Sequence, residues 1–484
     1  MTTTTHFNFR TLPNSPRAEA WRTLDAAVAR WVLSHGGSRL LAEVAGWASY
    51  AEAQGDSALL LEPETPSRHG LRALSVEELS ALAAEPMVTV LAGDEAANTP
   101  FVLQFNHFYL RRNAMHEIAV AADLRARRSH VEVPRMPCQA NDLQALFEAF
   151  DTEAVRPQTQ AVMQVLGRRL FVLTGGPGTG KTTTVLRMLL ALIREHHAQH
   201  ACLPVIRLAA PTGKAARRLG DALRDSAKAL QDRLDFRSSS WPQWLAPALQ
   251  AEAMTVHRLL GSRGQQRGFV HHAGNPIGAD VVLIDEASML DLPLLRVLLD
   301  ALAPSAVLVF VGDAEQLPPV GTGSVFLDLV RALEASAAGD VVRLQHSFRA
   351  DQALVPVNAA LRDGNFEAFV QACGAAGSRD GNFEAFVQAC GAAGSRVQRQ
   401  TCVTLPQLHA CIQHWHQQLL AEWRDAGIYA PVHAQDLASV LQAVRGRQLL
   451  CALREGPFGA EQVNTRLETL FRKDAGDSAA GVWY

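Results

Sequence analysis

Leu170-Phe171-Val172-Leu173-Thr174-Gly175-Gly176-Pro177-Gly178-Thr179-Gly180-Lys181-Thr182-Thr183 runs from four consecutive apolar residues into a glycine-rich turn and on into a helical pattern. A buried strand, a loop of the form G-x-x-x-x-G-K-T and a helix, in that order, are the setting a P-loop requires. The glycines let successive backbone N–H groups point inward at phosphate oxygens, and the helix N-terminus adds positive potential. Lys181 then reaches the β- and γ-phosphates, and the Thr182 hydroxyl is placed to ligate Mg²⁺.

Short apolar runs alternate with helical stretches around this segment. Besides Leu170–Leu173 they are Val205–Leu208, Val281–Ile284, Val307–Val311 and Val341–Leu344. Continuous rather than alternating hydrophobicity implies strands buried on both faces, hence a parallel sheet covered by helices over residues 143–350.

Asp285 and Glu286 follow Val281–Ile284 directly. Adjacent carboxylates at a strand end divide two tasks: the first holds Mg²⁺ and the second orients and deprotonates an attacking water. Val307–Val311 leads into Gly312-Asp313-Ala314-Glu315-Gln316-Leu317-Pro318-Pro319. Gln316 is there either a γ-phosphate sensor or one residue of an ordinary polar turn. Ala210-Pro211-Thr212-Gly213-Lys214-Ala215-Ala216-Arg217-Arg218 holds three cations and no acid, which reads as a second anion site for a nucleic-acid backbone or as a solvated helix start.

The rest of the chain frames this unit. Residues 1–130 read as an all-helical N-terminal domain suited to partner docking, with helical spacing over Leu24–Val32, Val76–Ala83 and Arg111–Arg128. The basic residues of the last stretch, among them Arg111, Arg112, Arg125, Arg127 and Arg128, read as a solvated face or a partner contact before a nucleic-acid site. Residues 131–142, with Pro134 and Pro137, read as a linker. Residues 351–484 hold a 17-residue segment, Arg362–Ser378, repeated letter for letter at Arg379–Ser395, and a helical stretch around Leu405–Trp423. Two units cannot stack a solenoid core, so the repeat reads as a recent tandem duplication or a sequence-assembly error.

Composition sets outer limits. The 484 residues carry 45 basic and 48 acidic side chains, a net charge of −3, so any nucleic-acid contact must come from a local patch. Only four of the 45 are lysines, and two of those, Lys181 and Lys214, stand in the two phosphate-type loops. No window approaches 18 consecutive apolar residues, and seven scattered cysteines without a C-x-x-C pair suit a reduced, cytoplasmic protein.

Taken in order, TGGPGTGKTTT, APTGKAARRL, TVHRLLG (255–261), HHAGNP (271–276), LIDEASM (283–289), GDAEQLPPVGTG, SFRA (347–350) and LCALREGPFG (450–459) resemble superfamily 1 helicases, and within them the RecD family. The resemblance implies a RecA-like ATPase lobe followed by part of a second such lobe. It implies an ATP- and Mg²⁺-dependent motor moving 5′ to 3′ on single-stranded DNA, assembled with RecB and RecC in exodeoxyribonuclease V, where nuclease chemistry belongs to RecB. A non-catalytic assembly subunit is the alternative. By matching motif, Gln158 recognises adenine; Gly175, Gly176, Pro177, Gly178, Thr179, Gly180, Lys181, Thr182 and Thr183 hold the phosphates; Thr182 and Asp285 hold the metal. Glu286 is the base, Gln316 couples the γ-phosphate to DNA, Arg349 contacts the γ-phosphate, and Thr212, Lys214 and His257 line the DNA track, His257 being as well explained by packing. Later family motifs, a TVHKSQG-like loop and a further arginine, are not found before Tyr484, so the chain is expected to be an N-terminal fragment with little DNA-stimulated turnover of its own.

Overall fold

The computed structural model describes residues 21–91, 98–148, 152–264, 268–317, 319, 321–336 and 338–348, then 360, 364–365, 367–368, 404–425, 449, 451 and 456–475. The chain divides into two compact units, Met1–Asp351 and Gln352–Tyr484.

In the first unit α1 (Thr23–Ser34) and α2 (Arg39–Ala53) pack through Ala29 and Val32 against Leu41, Val44, Ala45 and Trp47. Ser38 caps α2, its hydroxyl accepting from the Leu41 N–H at 3.0 Å. There follow β1 (Leu59–Leu60), α3 (Val76–Ala83), β2 (Val88–Val90), β3 (Phe101–Gln104), β4 (His107–Leu110) and α4 (Arg111–Arg128). The bounds of α3 and α4 are those the helical spacing predicts. The region is helical as expected but not all-helical: β1 to β4 form a sheet in the order β1-β4-β3-β2. Its strands have two to four residues, too short for periodicity to register, and Phe105-Asn106 turns the β3–β4 hairpin with both residues at positive φ, 46° and 61°.

Residues 131–142 are strapped down rather than free. Glu132 N–H donates to the Gly167 carbonyl at 2.7 Å, and the Arg135 and Met136 N–H groups donate to the buried Glu195 carboxylate, each at 2.7 Å. Then come α5 (Ala140–Leu146), α6 (Arg156–Gln164), β5 (Leu170–Gly175), α7 (Lys181–His200), β6 (Ile206–Ala210), α8 (Gly213–Gln231), α9 (Leu234–Arg237), α10 (Pro242–Gln250), β7 (Ala253–Thr255), α11 (Val256–Leu259), β8 (Val281–Ile284), α12 (Leu292–Asp300), β9 (Val307–Gly312), α13 (Val325–Ser336) and β10 (Val341–Leu344). All six strands from β5 to β10 are parallel, ordered β10-β5-β9-β8-β6-β7.

Two cores show why the strands are continuously apolar. Phe171, Leu173, Leu208, Leu283, Val309 and Val311 join α5 to α10 on one face. Their neighbours Leu170, Val172, Ala209, Val282, Ile284, Leu308 and Phe310 join α11 to α13 on the other, together with Val120 and Leu124 of α4. Side chains alternate across a strand, so both faces are dry and every position is apolar.

In the second unit the described residues form α14 (Leu405–Asp425) and α15 (Ala460–Ala475), joined by His416 and Trp423 against Phe471, with ring centroids 4.5 and 5.5 Å apart. Most of the repeat, and with it the expected second lobe, lies outside the described residues.

Candidate nucleotide site and its neighbours

β5, which lies between β10 and β9 in the sheet, delivers the P-loop. Gly178 and Gly180 take positive φ, 76° and 82°, and a Cβ on Gly180 would lie 2.5 Å from the Gln158 side-chain nitrogen. Gln158, 5% exposed on α6, donates its Nε2 to the Thr179 carbonyl at 3.1 Å. The loop closes on itself through the Thr179 hydroxyl, which donates to the Gly176 carbonyl at 2.8 Å. Lys181 Nζ donates to the Gly175 and Gly176 carbonyls at 2.6 and 3.0 Å. Burial lowers the pKa of Lys181, while Asp313, Glu286 and Asp285 oppose that shift. Thr182 and Thr183 are half-buried in the first turn of α7.

Three strand ends thus meet across Lys181. β8 supplies Asp285, whose backbone N–H donates to the Ala209 carbonyl at 2.8 Å. Burial pushes the Asp285 carboxyl up to about 6, and neighbouring Glu286 adds to the rise. Glu286 holds φ at +51°, the left-handed region that a non-glycine residue enters at a cost of about 1–3 kcal/mol, as residues at functional sites often do. β9 supplies Asp313, 5% exposed, which accepts from the Glu315 N–H at 3.0 Å. Fully buried Thr174 of β5 ties the two loops together, its hydroxyl accepting from the Ala314 N–H at 3.2 Å.

Two participants escape a reading of the sequence. Asp313 stands in the quoted Gly312–Pro319 segment, at the end of the strand beside the P-loop, and that position is the signal for it. Phe348 donates its N–H to the Gly178 carbonyl at 2.8 Å, and its half-exposed ring approaches Gly180 beside Gln158. Gln316 follows the Asp313 turn with its side chain exposed. Arg349 lies outside the described residues.

The same sheet end carries the candidate DNA track. Thr212 caps α8, accepting from the Ala215 N–H at 3.2 Å, and Thr255 caps α11, accepting from the Arg258 N–H at 3.1 Å. β6 and β7 pair with Ala210 opposite Thr255, so the two caps emerge side by side. Lys214 and His257 are exposed just beyond them; the His257 ring is 6.1 Å from that of Phe269.

Fold and site together define a P-loop nucleotide-binding protein of the α/β class. The AAA domain family matches residues 158–322, from Gln158 to the segment after Gln316. Outside that match the chain is similar to RecD subunits. It is 32% identical over 408 residues to the RecBCD enzyme subunit RecD of Mycolicibacterium smegmatis, covering 84% of this chain and 64% of that one. It is 32% identical over 376 residues to the RecBCD enzyme subunit RecD of Mycobacterium tuberculosis, covering 78% and 58%. The ATP-dependent RecD2 DNA helicase of Deinococcus radiodurans is 39% identical over 175 residues, 36% of this chain and 20% of that one. The chain therefore spans about three fifths of the length of these two RecD subunits. Among the described residues no helix is long and apolar enough to cross a membrane.

Proposed function

We propose that this chain is the RecD-type motor of a RecB–RecC–RecD assembly: an ATP-driven helicase that moves 5′ to 3′ on single-stranded DNA at duplex ends, in double-strand-break repair and recombination in the bacterial cytoplasm. One observation carries the reading. Lys181, Asp285, Glu286 and Asp313 converge from three neighbouring strands at the sheet end that also presents Thr212, Lys214 and His257.

The residues suit ATP and Mg²⁺. An inward-facing P-loop amide cradle with Lys181 fits the phosphates, and Gln158 with the Phe348 ring is placed for adenine. Asp285 is a buried carboxyl raised for want of compensation, and with the Thr182 hydroxyl it gives the hard oxygen donors Mg²⁺ prefers. Held by Thr182 and Asp285, Mg²⁺ would supply charge neutralisation at the phosphates. Glu286 orients and deprotonates the attacking water, Gln316 relays the presence of the γ-phosphate, and Arg349 completes the contact to it. Thr212, Lys214 and His257 grip the strand through phosphate contacts that read no sequence.

Strand displacement by the reconstituted assembly, on partial duplexes with a 5′ or a 3′ tail and with the RecB motor inactivated, tests this. Displacement is expected with the 5′ tail alone and is lost on Lys181→Ala. A preference for the 3′ tail, or displacement undiminished by Lys181→Ala, contradicts it.

A further inference from the structure

β9 leads directly into Asp313 and on to Gln316, and the N-terminal region holds the turn before it and the segment beyond Gln316. Before it, the chain turns from the end of α12 and presents the carbonyls of Leu302, Ala303 and Ala306 to α4. Arg127 of α4, 4% exposed, pins that turn: Nη1 donates to the Ala303 and Ala306 carbonyls at 3.2 and 3.0 Å, and Nη2 to the Leu302 carbonyl at 3.3 Å. Its Nε donates to Asp123 Oδ1 at 2.9 Å, one turn back on α4, which fixes the plane of the guanidinium. Beyond Gln316, the Gly55 carbonyl after α2 accepts from the Gly323 N–H at 2.8 Å, while the Thr322 carbonyl accepts from the Leu292 N–H at the start of α12, also at 2.8 Å.

A third tie reaches the P-loop strand. Arg128 donates to Asp340 Oδ2 at 2.6 Å, Arg168 donates to the other oxygen, and the Asp340 carbonyl accepts from the Val172 N–H of β5 at 2.9 Å. Between these ties the N-terminal region and α13 do not close up but border a polar cavity lined by Asp56, His69, Tyr109, Glu117, Asp328 and Arg331. The arginines expected to form a solvated face are thus turned, at Arg127 and Arg128, onto the motor.

We propose that Arg127 is a positioning residue for the nucleotide site: it fixes the entry of β9, so that Asp313 stands opposite Lys181 and Gln316 is held where a γ-phosphate can move it. The inference rests on the motor reading and adds a regulatory route, because whatever docks on the N-terminal region then acts on the γ-phosphate sensor through α4.

The test compares the parent full chain with Arg127→Met, Arg127→Lys and the control Arg72→Met. The control breaks the Arg72 ion pairs to Glu78 and Glu43, which lie within the N-terminal region away from β9. Two quantities are read: the affinity for a fluorescent ATP analogue with and without oligo-dT, and amide exchange over residues 307–317 with the analogue bound. Arg127→Met is expected to shrink at least fivefold the change that DNA produces in analogue affinity, and to exchange faster over 307–317. Arg127→Lys, which keeps a cation at the carbonyls, falls in between, and Arg72→Met matches the parent. Unchanged coupling and exchange in Arg127→Met, or the same losses in Arg72→Met, overturn the proposal for Arg127. A parent that binds no ATP analogue overturns the motor reading, and this inference with it.

Discussion

Asp285→Asn is expected to stabilise the metal-free protein while disabling its hydrolytic site. Burial raises the Asp285 carboxyl from 3.8 to about 6, because one backbone hydrogen bond from Glu286 and the charges of Lys181 and Arg218 do not replace the lost water. An acid whose pKa is higher folded than unfolded binds more protons in the native state, so stability falls as pH rises through that interval. Well below 3.8 the carboxyl is neutral in both states and costs nothing. The cost grows between pH 4 and 6 and is complete above 6. A rise of about two units at 1.36 kcal/mol per unit makes it about 3 kcal/mol. Asparagine has nearly the same shape and no charge, so urea unfolding in EDTA should show the variant gaining up to about 3 kcal/mol at pH 7.5 and only about 0.5 kcal/mol at pH 4. Mg²⁺ with ATP should narrow the gap at pH 7.5 by stabilising the parent alone. A variant no more stable than the parent at pH 7.5, or equally favoured at both pH values, refutes the reasoning.

Gly180→Ala places a methyl 2.5 Å from Gln158 Nε2 on a backbone at φ +82°, and should cost about 1–3 kcal/mol in thermal unfolding and flatten the preference for ATP over GTP in competition binding. Glu286→Gly relieves the left-handed strain at φ +51°, so its unfolding free energy should rise by about 1 kcal/mol while ATP turnover by the assembly disappears. Lys214→Ala removes an exposed cation at the start of α8, and the slope of log affinity for oligo-dT against log salt should fall by about 0.7, the contribution of one phosphate on a single strand.

The sheet was legible because its strands are buried on both faces and so read as unbroken apolar runs; β5, β8, β9 and β10 begin at the residues expected, and β6 one residue later. β7 was not, since Ala253-Met254-Thr255 is an edge strand with no such run. The Phe101–Leu110 hairpin was hidden by its turn, where Phe105 and Asn106 take positive φ without a glycine to mark it. The P-loop and the Asp285-Glu286 pair were legible because phosphate and metal chemistry demand particular residues at fixed spacing. Asp313 and Phe348 reach the site through tertiary placement, one across Lys181 and one onto the Gly178 carbonyl. Arg127 was legible only as one arginine among several on a helix, because the carbonyls it caps lie about 175 residues away along the chain.

The account rests on one nucleotide site whose occupancy is felt at the DNA track. Binding of a fluorescent ATP analogue with Mg²⁺, measured with and without oligo-dT in the parent and in Lys181→Ala, tests it most directly. The account predicts saturable binding by the parent, an affinity that DNA shifts at least fivefold, and a loss of tenfold or more in Lys181→Ala. Equal binding by both proteins, or an affinity that DNA leaves unmoved, contradicts it.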